Sequence, residues 1–278
     1  KEELKKIEDN EEEIEDRFYR ELDFGTGGMR GKIGAGTNRM NIYTIRRVTQ
    51  GLANYILNYS DDGRERGVAI AYDSRHKSAE FALEAALVLA ANGIKAYLFD
   101  GIRPTPELSF AVRELKAIGG IVITASHNPA EYNGYKLYWE DGGQVVPEQA
   151  HEIIAEINEI DDFELVKRLD KEEALEQGYL EIIGEEIDER YLEEMMKVLP
   201  ACELAAEKGK DLTIIYSPLH GTGNIPVKRL LERLGFTNFY PVEEQAVADP
   251  EFSTVESPNP EDFSSFKMAL ELAQEYNP

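Results

Sequence analysis

The chain has 278 residues, which at ~150 residues per domain leaves room for about two domains, each able to bury a core. Its 54 acidic and 30 basic side chains give a formal charge of -24, which argues against nucleic acid as a partner, because a polyanion would be repelled. An apolar fraction of 42% without any run near ~18 apolar residues argues against a membrane span, and the single cysteine, Cys202, cannot form an internal disulfide and reads as a packing residue.

Residues 1–20 are a charged, helix-prone run without the apolar centre of a secretory signal, which makes a reducing, cytoplasmic location the expectation. Ile45, Val48, Leu52 and Ile56 then recur at helical spacing. Residues 68–72, 95–99 and 120–124 read as short strands separated by helices. Ser78 is the expected N-cap of a helix through Ala91, and Thr105 the cap of the next, with Pro106 at its first position. This alternation predicts an α/β fold with a mixed, mostly parallel sheet sandwiched by helices.

Residues 147–199 turn acidic and helix-prone, with Ile153, Ile154, Ile157 and Ile160 on one buried face, and read as a connecting region. A second α/β unit follows: strand 211–216, the loop His220-Gly221-Thr222-Gly223, helix 226–234, strand 239–242 and helix 263–276. The expected division is 1–185 and 186–278, the second domain being of the same type and truncated, since an αβ module would continue into another strand.

Thr124-Ala125-Ser126-His127-Asn128-Pro129 follows directly on the third strand, so Ser126 is expected at the strand end where open α/β sheets bind ligands. The chain runs on into Tyr132-Asn133-Gly134-Tyr135-Lys136, and Asn133-Gly134 predicts a turn that folds Lys136 back toward the serine. A serine hydroxyl is a weak nucleophile until a base, a metal or an attached phosphate changes its chemistry, and alone Ser126 reads as a turn residue. Adjacent side chains on an extended segment point to opposite sides, which argues against a couple between Ser126 and His127 and for an orienting histidine. Asp73 and Arg75 read in isolation as a surface pair worth little. Arg30, within Phe24-Gly25-Thr26-Gly27-Gly28-Met29-Arg30-Gly31, reads as a solvated arginine on a flexible glycine turn, and no predicted strand precedes those glycines to make a Rossmann loop. His76 and His151 have no motif around them and read as solvated or capping residues.

The serine segment with Asn133-Gly134-Tyr135-Lys136 behind it resembles the phosphoserine loop of the α-D-phosphohexomutases. The glycine-arginine loop at residues 24–31, Tyr72-Asp73-Ser74-Arg75 and His220-Gly221-Thr222-Gly223 resemble further segments of that family, and residues 25–41 are most similar to its bacterial phosphoglucomutase and phosphopentomutase branch. The resemblance implies that Ser126 is held as phosphoserine and exchanges phosphate with a hexose phosphate. Glucose 1-phosphate and glucose 6-phosphate are the first choice, through glucose 1,6-bisphosphate, with phosphopentose and phosphomannose as alternatives. It implies Ser126, Lys136 and His127 as catalytic residues, Arg30, Arg75, Asn128 and His220 as phosphate-binding residues, and Mg2+ held through the Ser126 phosphate. Lys136 would either assist proton transfer or support the phosphoryl group electrostatically.

The family's metal loop, alternating aspartates followed by arginine, does not occur in the sequence, nor do its sugar-recognition loop and phosphate clamp. The chain is therefore expected to be the N-terminal half of a mutase, partnered by missing C-terminal domains and inactive alone. A non-catalytic phosphosugar-binding module is the alternative of another class. A serine hydrolase is disfavoured because Ser126 lacks the G-x-S-x-G elbow, and a nucleotide-binding oxidoreductase because the strand-glycine-helix fingerprint is missing.

Overall fold

The computed structural model describes residues 2–200 and 202–276. Helices α1 (Glu2–Lys6) and α2 (Glu11–Phe18) lead into the hairpin of β1 (Phe24–Gly25) and β2 (Gly28–Lys32). There follow α3 (Ile42–Tyr59), α4 (Gly63–Arg66), β3 (Val68–Tyr72), α5 (Ser78–Ala91), β4 (Ala96–Phe99), α6 (Thr105–Glu114), β5 (Gly119–Ile123) and β6 (Tyr132–Trp139). Next come α7 (Pro147–Asn158), α8 (Lys171–Glu176), β7 (Leu180–Ile183) and α9 (Glu185–Val198). The remainder holds α10 (Cys202–Lys208), β8 (Ile214–Tyr216), α11 (Asn224–Arg233), β9 (Phe239–Pro241), α12 (Glu243–Ala246) and α13 (Lys267–Tyr276). No helix among the described residues is long and apolar enough to cross a membrane.

Strands β1 to β7 form one sheet in the order 1-2-6-5-3-4-7. Strands β5, β3, β4 and β7 are parallel neighbours, whereas β6 is antiparallel to both β5 and β2, and β1 to β2. Because side chains alternate along a strand, Val68, Ile70, Ala96, Leu98, Ile121 and Ile123 pack on the side of α3, α5 and α7. Ala69, Ala71, Tyr97, Phe99 and Val122 pack on the other side, with Leu108 and Val112 of α6 and Ile187 of α9. Helix α5, lying between the sheet and α3, is apolar almost all round for the same reason. From β3 the chain goes first to β4 on one side and then to β5 on the other. The ends of β3 and β5 thus flank the reversal point where such sheets form a ligand crevice.

The structure departs from the sequence expectations where local signals were overridden. Ser78 is the first helical residue, not the cap; Lys77 precedes it at φ 66, and the Ser78 hydroxyl donates to Asp73 Oδ1 at 2.6 Å. Thr105 likewise lies inside its helix, with Pro104 in the cap position. Residues 147–199 are more than a connection, since β7 pairs with β4 and buries Leu180 and Ile183 at the sheet edge. Asn133-Gly134 is not a turn but part of β6, and the reversal lies at residues 124–131. Glycine is required there and at Gly28 by close approach of strands: a Cβ at Gly134 would stand 2.6 Å from the Thr124 carbonyl oxygen, and one at Gly28 1.9 Å from that of Tyr135.

The second unit is built on β8 and β9, a parallel pair with α11 between them in sequence. Helix α9 packs against α6 of the first unit and against α11 of the second. Cys202 is half-buried, its thiol 3.4 Å from the carbonyl oxygens of Met196 and Leu199.

Candidate active site

Ser126 is exposed in the loop between β5 and β6 and adopts φ 57, a left-handed conformation that costs a non-glycine residue ~1–3 kcal/mol unless its surroundings hold it. Its amide donates to Thr124 Oγ1 at 2.9 Å. This twist overturns the expectation of an extended segment. Ser126 Oγ and His127 Nδ1 lie 3.2 Å apart, in hydrogen-bond contact, so the couple that sequence reasoning disfavoured does form.

Arg75 supplies much of the restraint. Its Nη1 donates to the carbonyl oxygens of Pro129 (2.8 Å) and Tyr132 (3.2 Å), and its Nη2 to those of Ser126 (2.8 Å) and Asn128 (2.5 Å). Its side chain has no exposed surface. Arg75 therefore positions the serine loop from beneath, and the expectation that it binds phosphate directly is corrected: its donors go to backbone carbonyls. The pair with Asp73 is likewise no surface contact. Asp73 Oδ1 accepts from the Arg75 amide and the Ser78 hydroxyl, its Oδ2 lies 3.3 Å from Arg75 Nε, and burial lifts its carboxyl above the ordinary range.

Two further cations come from β2 and β6, the exposed Arg30 and the half-buried Lys136. In their antiparallel register Arg30 faces Gly134 and Gly28 faces Lys136, so Arg30 and Lys136 are diagonal neighbours on one face of the sheet. Arg30 Nη1 donates to Asn128 Oδ1 at 2.9 Å, two residues past the serine. Burial, then the positive charge of Arg30, lowers the Lys136 ammonium below its usual range, while Asp73 acts in the opposite sense. The structure thus gathers Ser126, His127, Asn128 and Arg30 around one loop, with Arg75 under it and Lys136 beside Arg30 on the same face of the sheet.

His220 does not join them. It is 2% exposed, its Nδ1 is 2.8 Å from the Val247 carbonyl oxygen and its Nε2 is 2.7 Å from Thr254 Oγ1. Both ring nitrogens are thus committed to its own unit, away from the serine loop where the expected phosphate would sit. His76, read as solvated or capping, is exposed and also reaches the second unit: its Nε2 is 2.6 Å from Glu251 Oε1. Sequence reasoning missed Asn133, whose buried amide donates to His76 O and Ser78 Oγ and ties β6 to the start of α5; its Asn-Gly context points to a turn. It also missed Phe252, whose ring lies over Arg75.

A cavity of about 650 Å³ lies among Leu22, Met40, Val48, Phe81, Ile157 and Phe163, but none of the loop residues lines it. Among the described residues no group of three or more His, Cys, Asp or Glu side chains is placed to hold a metal ion. Asp73, the carboxylate beneath the loop, is occupied by Arg75 and Ser78. The donor set that Mg2+ prefers, several free oxygens, is not furnished by these residues, so the expected metal does not fit this chain's own side chains.

Comparison with known proteins agrees with the geometry. The family model described as phosphoglucomutase/phosphomannomutase, alpha/beta/alpha domain I, matches residues 21–164, and that for alpha/beta/alpha domain II matches residues 189–278. A phosphoglucomutase of Staphylococcus haemolyticus strain JCSC1435 is 39% identical over 261 residues, covering 94% of this chain and 46% of that protein. One of Staphylococcus aureus strain USA300 is 38% identical over 273 residues, covering 97% and 48% respectively. A provisionally named phosphomannomutase from Thermus thermophilus superposes with a TM-score of 0.74 at 28% identity, covering 91% of this chain and 52% of that structure. The chain thus spans about half the length of the curated relatives it matches. Two matched domain types in family order, with the serine loop at the reversal point of the first sheet, make this chain a member of the α-D-phosphohexomutase family, the phosphoglucomutases and phosphomannomutases.

Proposed function

We propose that the protein to which this chain belongs is a phosphosugar mutase that interconverts glucose 1-phosphate and glucose 6-phosphate, with Ser126 as the phosphoryl carrier. In the donating half-reaction the bond between Ser126 Oγ and phosphorus breaks as a sugar hydroxyl oxygen bonds to phosphorus, and that hydroxyl's proton ends on Oγ. Glucose 1,6-bisphosphate results. In the returning half its other phosphate moves back to Oγ, and the serine proton passes to the sugar oxygen left behind.

In-line transfer asks the protein mainly for positioning and charge neutralisation. Arg75 holds the loop, Arg30 and Lys136 bring positive charge to its open side, and Asn128 orients Arg30. Lys136, its proton affinity lowered, suits a proton in transit as well as a phosphoryl oxygen. His127 orients the serine oxygen. The observation that carries this reading is an exposed serine held in left-handed geometry by an arginine bonded to its own carbonyl. The 278 residues alone are proposed to accept phosphate without turning over, because the described residues offer no metal donor set. A cytoplasmic location belongs to the same proposal.

Intact mass before and after phosphatase treatment tests the carrier. One phosphate should disappear with phosphatase and be absent from Ser126→Ala. In the gene's full product, Ser126→Ala should lower glucose 1-phosphate conversion about 10⁴-fold or more. A phosphate mapped to another residue, or an alanine variant that keeps its activity, would sink the assignment. Turnover by the 278 residues alone, lost in Ser126→Ala, would overturn the inactivity.

A further inference from the structure

The segment Asp249-Pro250-Glu251-Phe252-Ser253-Thr254 belongs to none of the motifs above. Asp249 organises it as a tight turn: Oδ1 accepts from the Glu251 amide at 3.0 Å, and Oδ2 accepts from the Ser253 amide at 2.8 Å and its hydroxyl at 2.5 Å. The turn puts Phe252 at φ 51, a left-handed conformation that is an outlier for a bulky aromatic residue. Both ends are fastened from within the second unit. His220 holds the Val247 carbonyl and Thr254 Oγ1, and buried Gln245 donates to Thr254 Oγ1 at 3.1 Å.

This strained turn carries Phe252 across to the first unit. Its ring, 6% exposed, lies over the Arg75 guanidinium with Cζ 5.0 Å from the ring centroid, beside the contact between His76 and Glu251. Arg75 has spent its Nη donors on the four loop carbonyls, and its buried Nε has only the Asp73 carboxylate at 3.3 Å, without hydrogen-bond geometry. A cation this far from water gains from an aromatic face against its own flat face.

We propose that Phe252 is a positioning residue for the serine loop: it closes the Arg75 socket from the second unit, so that the backbone geometry of Ser126 depends on how the two units dock. The catalytic consequence rests on Ser126 being the phosphoryl carrier; the mechanical one does not.

The test compares Phe252→Leu, which removes the ring but keeps an apolar side chain, with Phe252→Tyr, which keeps the ring. In the 278-residue chain, amide exchange across residues 125–132 should quicken about tenfold in Phe252→Leu and stay at the parent rate in Phe252→Tyr, with β3 and α11 unchanged. In the gene's full product, kcat with glucose 1-phosphate should fall about tenfold in Phe252→Leu at nearly constant KM and recover in Phe252→Tyr. Parent-like loop exchange in Phe252→Leu overturns the proposal, and so does an equal loss in both variants. Should Phe252→Leu also loosen α11, a double-mutant cycle with Arg75→Lys decides: loop effects that simply add overturn the proposal, and a shared effect supports it. Faster loop exchange in a protein that never carries phosphate on Ser126 would keep Phe252 in its role and remove the mutase reading instead.

Discussion

In the first unit β3, β4 and β5 are covered on both faces, whereas β8 and β9 of the second are half-exposed along their whole length. Beyond residue 201, the buried apolar side chains among the described residues are Leu234, Val242 and Phe252. The second unit's most deeply buried groups are polar: Gln245 and Ser265 at 0% exposure and His220 at 2%. The contrast shows two ways of holding strain, since left-handed non-glycine residues occur in both units. A left-handed serine persists only where its surroundings over-determine it, and the double apolar layer beneath β5 and Arg75 provides that. The second unit directs one turn by hydrogen bonds and reaches the site through one aromatic ring.

Core truncation should separate the two regions most. Phe81→Ala in α5, at 2% exposure, is expected to cost about 3–5 kcal/mol in urea unfolding, against about 1 kcal/mol for Ile215→Ala in half-exposed β8. Equal costs would erase the distinction.

The junction between the units offers a second way to sharpen it. Glu107 of α6 faces Asp188 of α9, with Arg103 in a two-pronged bond to Asp188 at 2.7 and 2.8 Å and Arg229 of α11 at 3.6 Å from it. Burial, then the hydrogen bond with Asp188 and its charge, pushes the Glu107 carboxyl up to about 8, while Arg103 holds Asp188 low against the cost of burial. A carboxyl raised above its unfolded value of 4.5 stabilises fully below that value, and the contribution is lost as pH climbs through about 8. The urea midpoint should therefore decline between about pH 5 and pH 8, and Glu107→Gln, which keeps a donor for Asp188 but cannot ionise, should flatten the decline. An equally steep decline in Glu107→Gln would rule the pair out as its source.

The smallest expected effect lies at the start of α3. There the Asn41 side chain accepts from the Tyr43 and Thr44 amides. Asn41→Ala should cost about 1 kcal/mol and leave amide exchange in the second unit unchanged. Faster exchange in β8 would mean that the units are less independent than their cores suggest.

The strands at residues 68–72, 95–99 and 120–124 were legible because both faces of an α/β sheet are buried, which writes short apolar runs into the sequence. The stripe Ile45, Val48, Leu52 and Ile56 was legible as a helix, and all four side chains are buried. The chemical types of the site, a serine among lysine and arginines after a strand, were legible too. Strands β2 and β6 were not, because Gly28 and Gly134 look locally like turn residues, and only the neighbouring strand reveals that a Cβ would collide. Nor was β7, whose short run is hidden among acidic residues. By itself the sequence determined the alternation of elements and the residues available to the serine loop, because burial and chemical type are properties of each position. The tertiary structure decided where their donors go: Arg75 to the loop carbonyls rather than to a ligand, His220 to its own unit, and the Ser126 oxygen toward His127. A side chain's hydrogen-bond partners are set by what the fold brings within about 3 Å, and for Arg75 and His220 these lie tens of residues away along the chain.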